Sequence, residues 1–217
     1  MAGKVLNLAA FDLETRALGP GVRSAVWVQG CPFACRGCIA PEWIPIRAAD
    51  QVPCDDLAQV ILSSSEVSGL TISGGEPMLQ APALLELVRL VRRQRNVDVI
   101  CFTGYTLAQL QAEPPSLAVP EFLQEIDLLV DGPYQMELND DRGLRGSSNQ
   151  QFHYLSGALR EVDFASYPRK VELKINAGHI LFTGIPTRRG LALMDQALQS
   201  VRSRSTGLTF TSFDPKI

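Results

Sequence analysis

Ser24-Ala25-Val26-Trp27-Val28-Gln29-Gly30-Cys31-Pro32-Phe33-Ala34-Cys35-Arg36-Gly37-Cys38 joins a short apolar run to a loop carrying three cysteines. The run has the length and the Val/Trp content of a strand, so it reads as the strand that delivers the loop. The spacing Cys31-x3-Cys35-x2-Cys38 offers three thiolates with no fourth cysteine nearby. A fully protein-ligated 4Fe–4S cluster takes four, so three leave one iron open to an outside ligand. A structural zinc site instead closes its shell with a fourth Cys or His, usually through paired Cys-x2-4-Cys arms. Only one such arm exists here, and Cys54, Cys101, His153 and His179 are scattered singly. Disulfides fit poorly, because the five cysteines are odd in number and three crowd one loop.

Outward from the loop, apolar runs alternate with amphipathic segments, the pattern of βα units around a parallel sheet. Pro53 and Asp55-Asp56 open a helix with Leu57, Val60 and Ile61 on one face. Gly69 to Ser73 is the next strand, followed by a helix striped with Leu84, Leu87, Val88 and Val91. Arg92, Arg93 and Arg95 fall near its end, where the helix dipole favours cations. Val97 to Phe102 is strand-like, and Thr106 with Gln109 forms a capping box for another helix. Pro120 opens a short helix before the strand Asp127 to Asp131. Val171 to Ile175 alternates like a later strand, with His179 in the turn after it. Leu191, Met194, Leu198 and Val201 mark a C-terminal helix.

A second motif, Ser73-Gly74-Gly75-Glu76-Pro77, ends the strand after the cysteine loop. Two residues without a Cβ let backbone approach a ligand closely. Glu76 places a carboxylate at the carboxyl end of the sheet, where α/β folds bind ligands, and it is suited to hold a cationic amine. A tight turn before a helix would use the same residues.

The chain has 217 residues, 46% hydrophobic and 20% charged, which suits one globular domain. Its net charge of −3 gives no electrostatic case for nucleic acid. No stretch approaches the roughly 20 apolar residues of a membrane helix, and Asn7 and Asp12 interrupt any signal-peptide run. Free thiolates poised for a metal imply a reducing compartment, with the cytoplasm as the default.

Together, the three-cysteine loop and Gly74-Gly75-Glu76 resemble the radical S-adenosylmethionine (SAM) superfamily. The resemblance is closest to activating enzymes of glycyl-radical enzymes, above all those of anaerobic ribonucleoside-triphosphate reductase. Gly19-Pro20-Gly21-Val22-Arg23, Thr103-Gly104-Tyr105, Val130-Asp131-Gly132 and Arg145-Gly146-Ser147-Ser148-Asn149-Gln150 follow in that family's order. The resemblance implies an α/β fold, a partial, open (β/α) barrel of the radical SAM type. It spans residues 1–157 as an activase-like core of one domain, with residues 158–217 as an extension completing or flanking the barrel.

The resemblance further implies a 4Fe–4S cluster on Cys31, Cys35 and Cys38, with SAM bound by Gly37, Cys38, Ile39, Gly74, Gly75 and Glu76. Arg23, Thr103, Asp131 and Asn149 are candidates near the site; the structural alternatives are a surface ion pair for Arg23, a turn cap for Asp131 and helix capping by Ser147 or Ser148 beside Asn149. Trp43 would shield the cluster or simply pack. Cys54 and Cys101 read as buried hydrophobes. The implied partners are a large glycyl-radical enzyme as protein substrate and a flavodoxin- or ferredoxin-type electron donor, with no nucleic acid and no membrane. The family's usual histidine between the first two cysteines is replaced by Pro32, Phe33 and Ala34, and Ile39-Ala40 replace polar residues. These departures leave two other functions open: a radical SAM enzyme for a small molecule or ribosomal peptide, and a non-enzymatic iron–sulfur or zinc protein.

Overall fold

In the computed structural model, residues 3–176, 179–193 and 196 are described. The main sheet contains β1 (Val5–Thr15), β2 (Val22–Val28), β3 (Asp50–Pro53), β4 (Val67–Gly74), β5 (Asp98–Phe102), β6 (Leu128–Asp131) and β7 (Gln151–Tyr154). Their spatial order is β3-β1-β2-β4-β5-β6-β7. The four central strands β2, β4, β5 and β6 are parallel, as the alternating sequence pattern predicts. Every residue of β2 and of β6 is buried, the burial expected of parallel strands covered on both faces. The sheet is nevertheless mixed. β1, β3 and β7 add antiparallel edges that the motif-centred reading did not resolve.

Four helices follow from local signals: α1 (Cys54–Ser63), α2 (Ala81–Arg92), α3 (Leu107–Ala112) and α4 (Val119–Gln124). Both halves of the Thr106–Gln109 capping box form at the start of α3. α1 buries Cys54, Leu57, Ala58 and Ile61. Val60 lies outside that stripe and is exposed, contrary to expectation. α2 presents Leu84, Leu87, Val88 and Val91 to the same core.

The opposite face of the sheet is covered by irregular chain and by a hairpin of β8 (Val171–Asn176) and β9 (His179–Gly184). Leu144, Leu159 and Phe164 pack on Ile100, Leu128 and Val130. Leu181 and Ile185 pack on Ala10, Ala25 and Trp27. His179 therefore opens a strand rather than sitting in a turn after one. Residues 188–193 are helical and include Leu191, whereas Met194, Leu198 and Val201 of the expected C-terminal helix lie outside the described residues. Among the described residues, no helix is long and apolar enough to cross a membrane.

Arg23, expected near the site or in a surface ion pair, lies in the core instead. It is the second residue of β2, at the amino end of the parallel strands, and it is fully buried. Its guanidinium donates to Thr71 Oγ1 (2.7 Å) and Leu70 O (2.6 Å) and pairs with Asp98 Oδ1 at 2.6 Å. Burial holds its pKa below the ordinary arginine value, opposed by Asp98. Removing the guanidinium leaves the buried Thr71 Oγ1 and Leu70 O without this donor, a loss of about 3 kcal/mol. Arg23→Leu should lower the unfolding free energy by about that amount in urea denaturation. An unchanged midpoint would show that these bonds contribute nothing.

Candidate functional site at the carboxyl rim of the sheet

The parallel register aligns Val28 with Gly74 and Phe102 with Val130, so four strands end on one rim. The loops that leave this rim carry the sequence motifs. Gly74 and Gly75 bring the first two loops together. Gly74 has φ +109°, and a Cβ there would sit 2.3 Å from Val28 N. A Cβ on Gly75 would sit 2.3 Å from Gly30 O. Gly75 N donates to Val28 O (2.6 Å), and Glu76 N donates to Gly30 O (2.8 Å). The missing Cβ atoms thus admit the backbone of the neighbouring strand and cysteine loop, where the sequence alone suggested a ligand.

Glu76 fastens a third loop to this pair. Its carboxylate is 1% exposed and accepts from Thr103 Oγ1 (2.7 Å), Gly104 N (2.8 Å) and Met78 N (2.9 Å). Burial pushes its pKa up to about 7, against the three donors that favour the charged form. Thr103 is consequently a partner of Glu76.

The cysteine loop is held from behind and from above. Gly30 N and Cys31 N donate to Trp43 O and Ile44 O, both at 2.9 Å. Gly37 takes φ +74°, and Cys38 N closes onto Cys35 O at 3.1 Å. A Cβ on Gly104 would strike the Phe33 ring at 2.5 Å, and the same ring meets Tyr105 edge-on at 4.8 Å between centroids. Burial pushes the Cys31 thiol up to about 11, and it raises Cys38 in the same direction.

A cavity of about 530 Å³ opens at this rim. Cys31, Cys35 and Cys38 line it together with Gly37, Ile39, Gly74, Gly75, Glu76 and Thr103. Arg23, Asp131 and Asn149 do not. Asp131 caps α3, accepting from Leu107 N at 2.6 Å, and lies 2.8 Å from His153 Nε2. Asn149 donates to Pro133 O at 2.8 Å. Cys54 and Cys101 are fully buried elsewhere in the core. Trp43 lines the cavity and also tilts against Trp27, 5.8 Å between centroids.

Sequence reasoning missed Phe33, Tyr134, Ile185 and Pro186 as lining residues. Phe33 could have been found from its place between two cysteines; the others are brought in by long-range packing. It also missed Asn7, whose side chain accepts from Ala49 N (2.7 Å) and donates to Arg47 O (2.8 Å), bracing the return from the cysteine loop.

The donor set of three thiols and little else suits an iron–sulfur group, since soft thiolates are its protein ligands. Among the described residues, no three or more His, Cys, Asp or Glu side chains converge as the ligands of a single ion would. A four-iron cluster spreads its thiolate ligands over the corners of a cube, and three cysteines around one cavity fit that demand.

Comparison with known proteins supports an iron–sulfur cluster. A family profile described as a 4Fe-4S single cluster domain matches residues 17–153. The anaerobic ribonucleoside-triphosphate reductase-activating protein of Vibrio cholerae serotype O1 is 35% identical over 144 residues, 62% of this chain and 89% of that protein. The protein of the same name from Escherichia coli K12 is 32% identical over 145 residues, covering 63% and 91%. The one from Haemophilus influenzae is 34% identical over 145 residues, covering 62% and 89%.

Two outcomes follow from the rim geometry. Gly75→Ala should push the cysteine loop off the β4 turn and cut iron uptake on anaerobic reconstitution by about tenfold, the usual scale for disturbing groups behind metal ligands. Normal iron content in that variant would mean the loop tolerates the shift. Glu76, with its folded pKa above its unfolded value of about 4.3, stabilises fully below that value. That contribution is lost as pH rises to about 7. Urea denaturation between about pH 5 and pH 7.5 should show this decline in the native chain and not in Glu76→Gln. Equal slopes would remove Glu76 as its source.

Proposed function

We propose that this chain, which belongs to the 4Fe-4S single cluster domain family, is a radical SAM activase that installs a glycyl radical on a partner enzyme. The partner is an anaerobic ribonucleotide reductase, the enzyme that the names of its relatives specify. The observation that carries this reading is the single cavity shared by Cys31, Cys35, Cys38 and the Gly74-Gly75-Glu76 turn. When bound, a 4Fe–4S cluster supplies the electron that cleaves SAM to methionine and a 5′-deoxyadenosyl radical, which takes a hydrogen atom from a glycine of the partner.

The chain's own residues have four tasks. The three thiols hold the cluster and release their protons on loading, since burial keeps Cys31 protonated to about pH 11 when no metal is bound. Gly37, Cys38, Ile39, Gly74 and Gly75 bound the space for SAM. Glu76, with three acceptor positions filled, has capacity for one further donor, which a SAM ammonium would supply. Phe33, Trp43 and Tyr134 give the cavity apolar walls that limit water, so a radical formed there meets the intended hydrogen first.

We further infer a partial, open (β/α) barrel, supported by the parallel run β2-β4-β5-β6 with α1 and α2 behind it and the cavity at its carboxyl ends. Residues 1–157 act as the activase core of one domain that also includes 158–217. The reducing cytoplasm is the compartment this chemistry needs, and a flavodoxin- or ferredoxin-type protein would supply the electron.

Anaerobic reconstitution with iron and sulfide, reduction, and addition of SAM should yield 5′-deoxyadenosine. Cys31→Ala, Cys35→Ala and Cys38→Ala should each reduce the yield to background and lose the cluster's visible absorbance. Activity surviving in the triple variant would sink the assignment.

A further inference from the structure

The family profile ends at residue 153, yet chain beyond that point reaches the cavity. Gly184, Ile185, Pro186 and Leu191 all line it. Three sets of contacts hold them there. On β1, the buried carboxylate of Asp12 accepts from Thr183 Oγ1 at 2.8 Å and pairs with Lys174. Glu172 accepts from Thr15 Oγ1 (2.7 Å) and Arg16 N (2.9 Å). Arg169, its side chain 2% exposed, donates to Arg145 O (2.6 Å), Asn139 Oδ1 (2.9 Å) and Pro186 O (3.2 Å).

The turn out of β9 is built for this placement. Gly184 has φ +133°, and a Cβ there would lie 2.1 Å from Lys170 O. Only glycine lets the chain turn so tightly from the hairpin into the cavity wall. Arg169 also ties the extension to the Arg145-Gly146 backbone, part of the Arg-Gly-Ser-Ser-Asn-Gln motif, and Gly146 lines the same cavity. Arg169 therefore links the extension directly to the family motif. Ile185 is half-buried, one side packed on the Trp27 cluster and the other toward the cavity.

We propose that Ile185, Pro186 and Leu191 form a substrate-selecting wall, built from residues outside the family profile, against which the glycine-bearing backbone of the partner is positioned. The proposal rests on the activase reading and adds to it the residues that choose the substrate. An apolar wall suits the Cα face of a slender glycine segment, which has no side chain to clash, while its backbone N–H and C=O groups turn to polar lining such as Asn139 and Gln150. The wall faces the same cavity as the cysteines and the Gly74-Gly75-Glu76 turn but comes from a different part of the chain.

The test uses the full chain and the anaerobic ribonucleoside-triphosphate reductase encoded in the same genome. Ile185→Trp and Leu191→Trp fill the wall, and Ile185→Ala recedes it without adding volume. Calorimetric titration of the reductase into unreconstituted protein reads binding without any cluster. The ratio of glycyl-radical signal to 5′-deoxyadenosine reads positioning in reconstituted protein. Filling the wall should weaken binding by about tenfold and lower the ratio by a similar factor, and Ile185→Ala should weaken binding by about threefold. Melting curves identify any variant that fails to fold, in which case the other two decide. Binding and ratio within about twofold of the native chain in the folded variants would overturn the wall. So would 5′-deoxyadenosine yield falling in step with the radical signal, because the residues would then serve SAM. A native chain that cleaves SAM but neither binds the reductase nor forms a radical on it overturns the activase reading itself, in favour of a small-molecule or peptide substrate.

Discussion

The approach of two backbones at the sheet rim is the constraint on which the site depends. Gly74 and Gly75 lie against Val28 and Gly30 with no room for a Cβ, and two hydrogen bonds of 2.6 and 2.8 Å lock the contact. This contact sets where Cys31 begins. It also points Glu76 across to the Thr103-Gly104 turn, so three consecutive rim loops become one unit. A displaced first loop would disturb the other two, because the carboxylate that ties them sits at the end of the same turn.

The sheet divides its labour along the strand axis. At the amino end, the buried Arg23 guanidinium reaches backbone carbonyls and pairs with a partly exposed Asp98. At the carboxyl end the strands finish in glycine-rich turns and half-buried thiols. Stability and chemistry thus sit about a strand length apart. The close-approach glycines and the buried Glu76 lie where the site needs them, while the opposite end supplies rigidity.

Much of this was legible in the sequence because the signals were local. The cysteine spacing, the Gly-Gly-Glu turn, the Thr106–Gln109 box and the stripe of α2 each depend on residues a few positions apart. What was not legible depends on distance. Arg23 sits in a motif-like stretch, and no local pattern shows that its guanidinium is sealed beneath Leu70 and Thr71. The glycines of the turn were legible as a need for close approach, but not whose backbone approaches. The antiparallel edges β1 and β7 escaped because an edge strand is defined by its neighbour as much as by its own residues. The role of the extension was hidden for a further reason: β8 turns its charged residues Glu172 and Lys174 toward the protein and leaves Val171, Leu173 and Ile175 exposed, the reverse of the usual alternation.

The Asp12 anchor has a consequence for how the molecule comes into being. Its partners Lys174 and Thr183 are 162 and 171 residues downstream. During synthesis, the cysteine loop and the parallel strands emerge long before the hairpin can reach β1, and contacts of such separation form late. The last side of the chamber therefore closes only after the hairpin itself has been made. Until then the three thiols line a chamber that lacks the wall of Gly184, Ile185, Pro186 and Leu191.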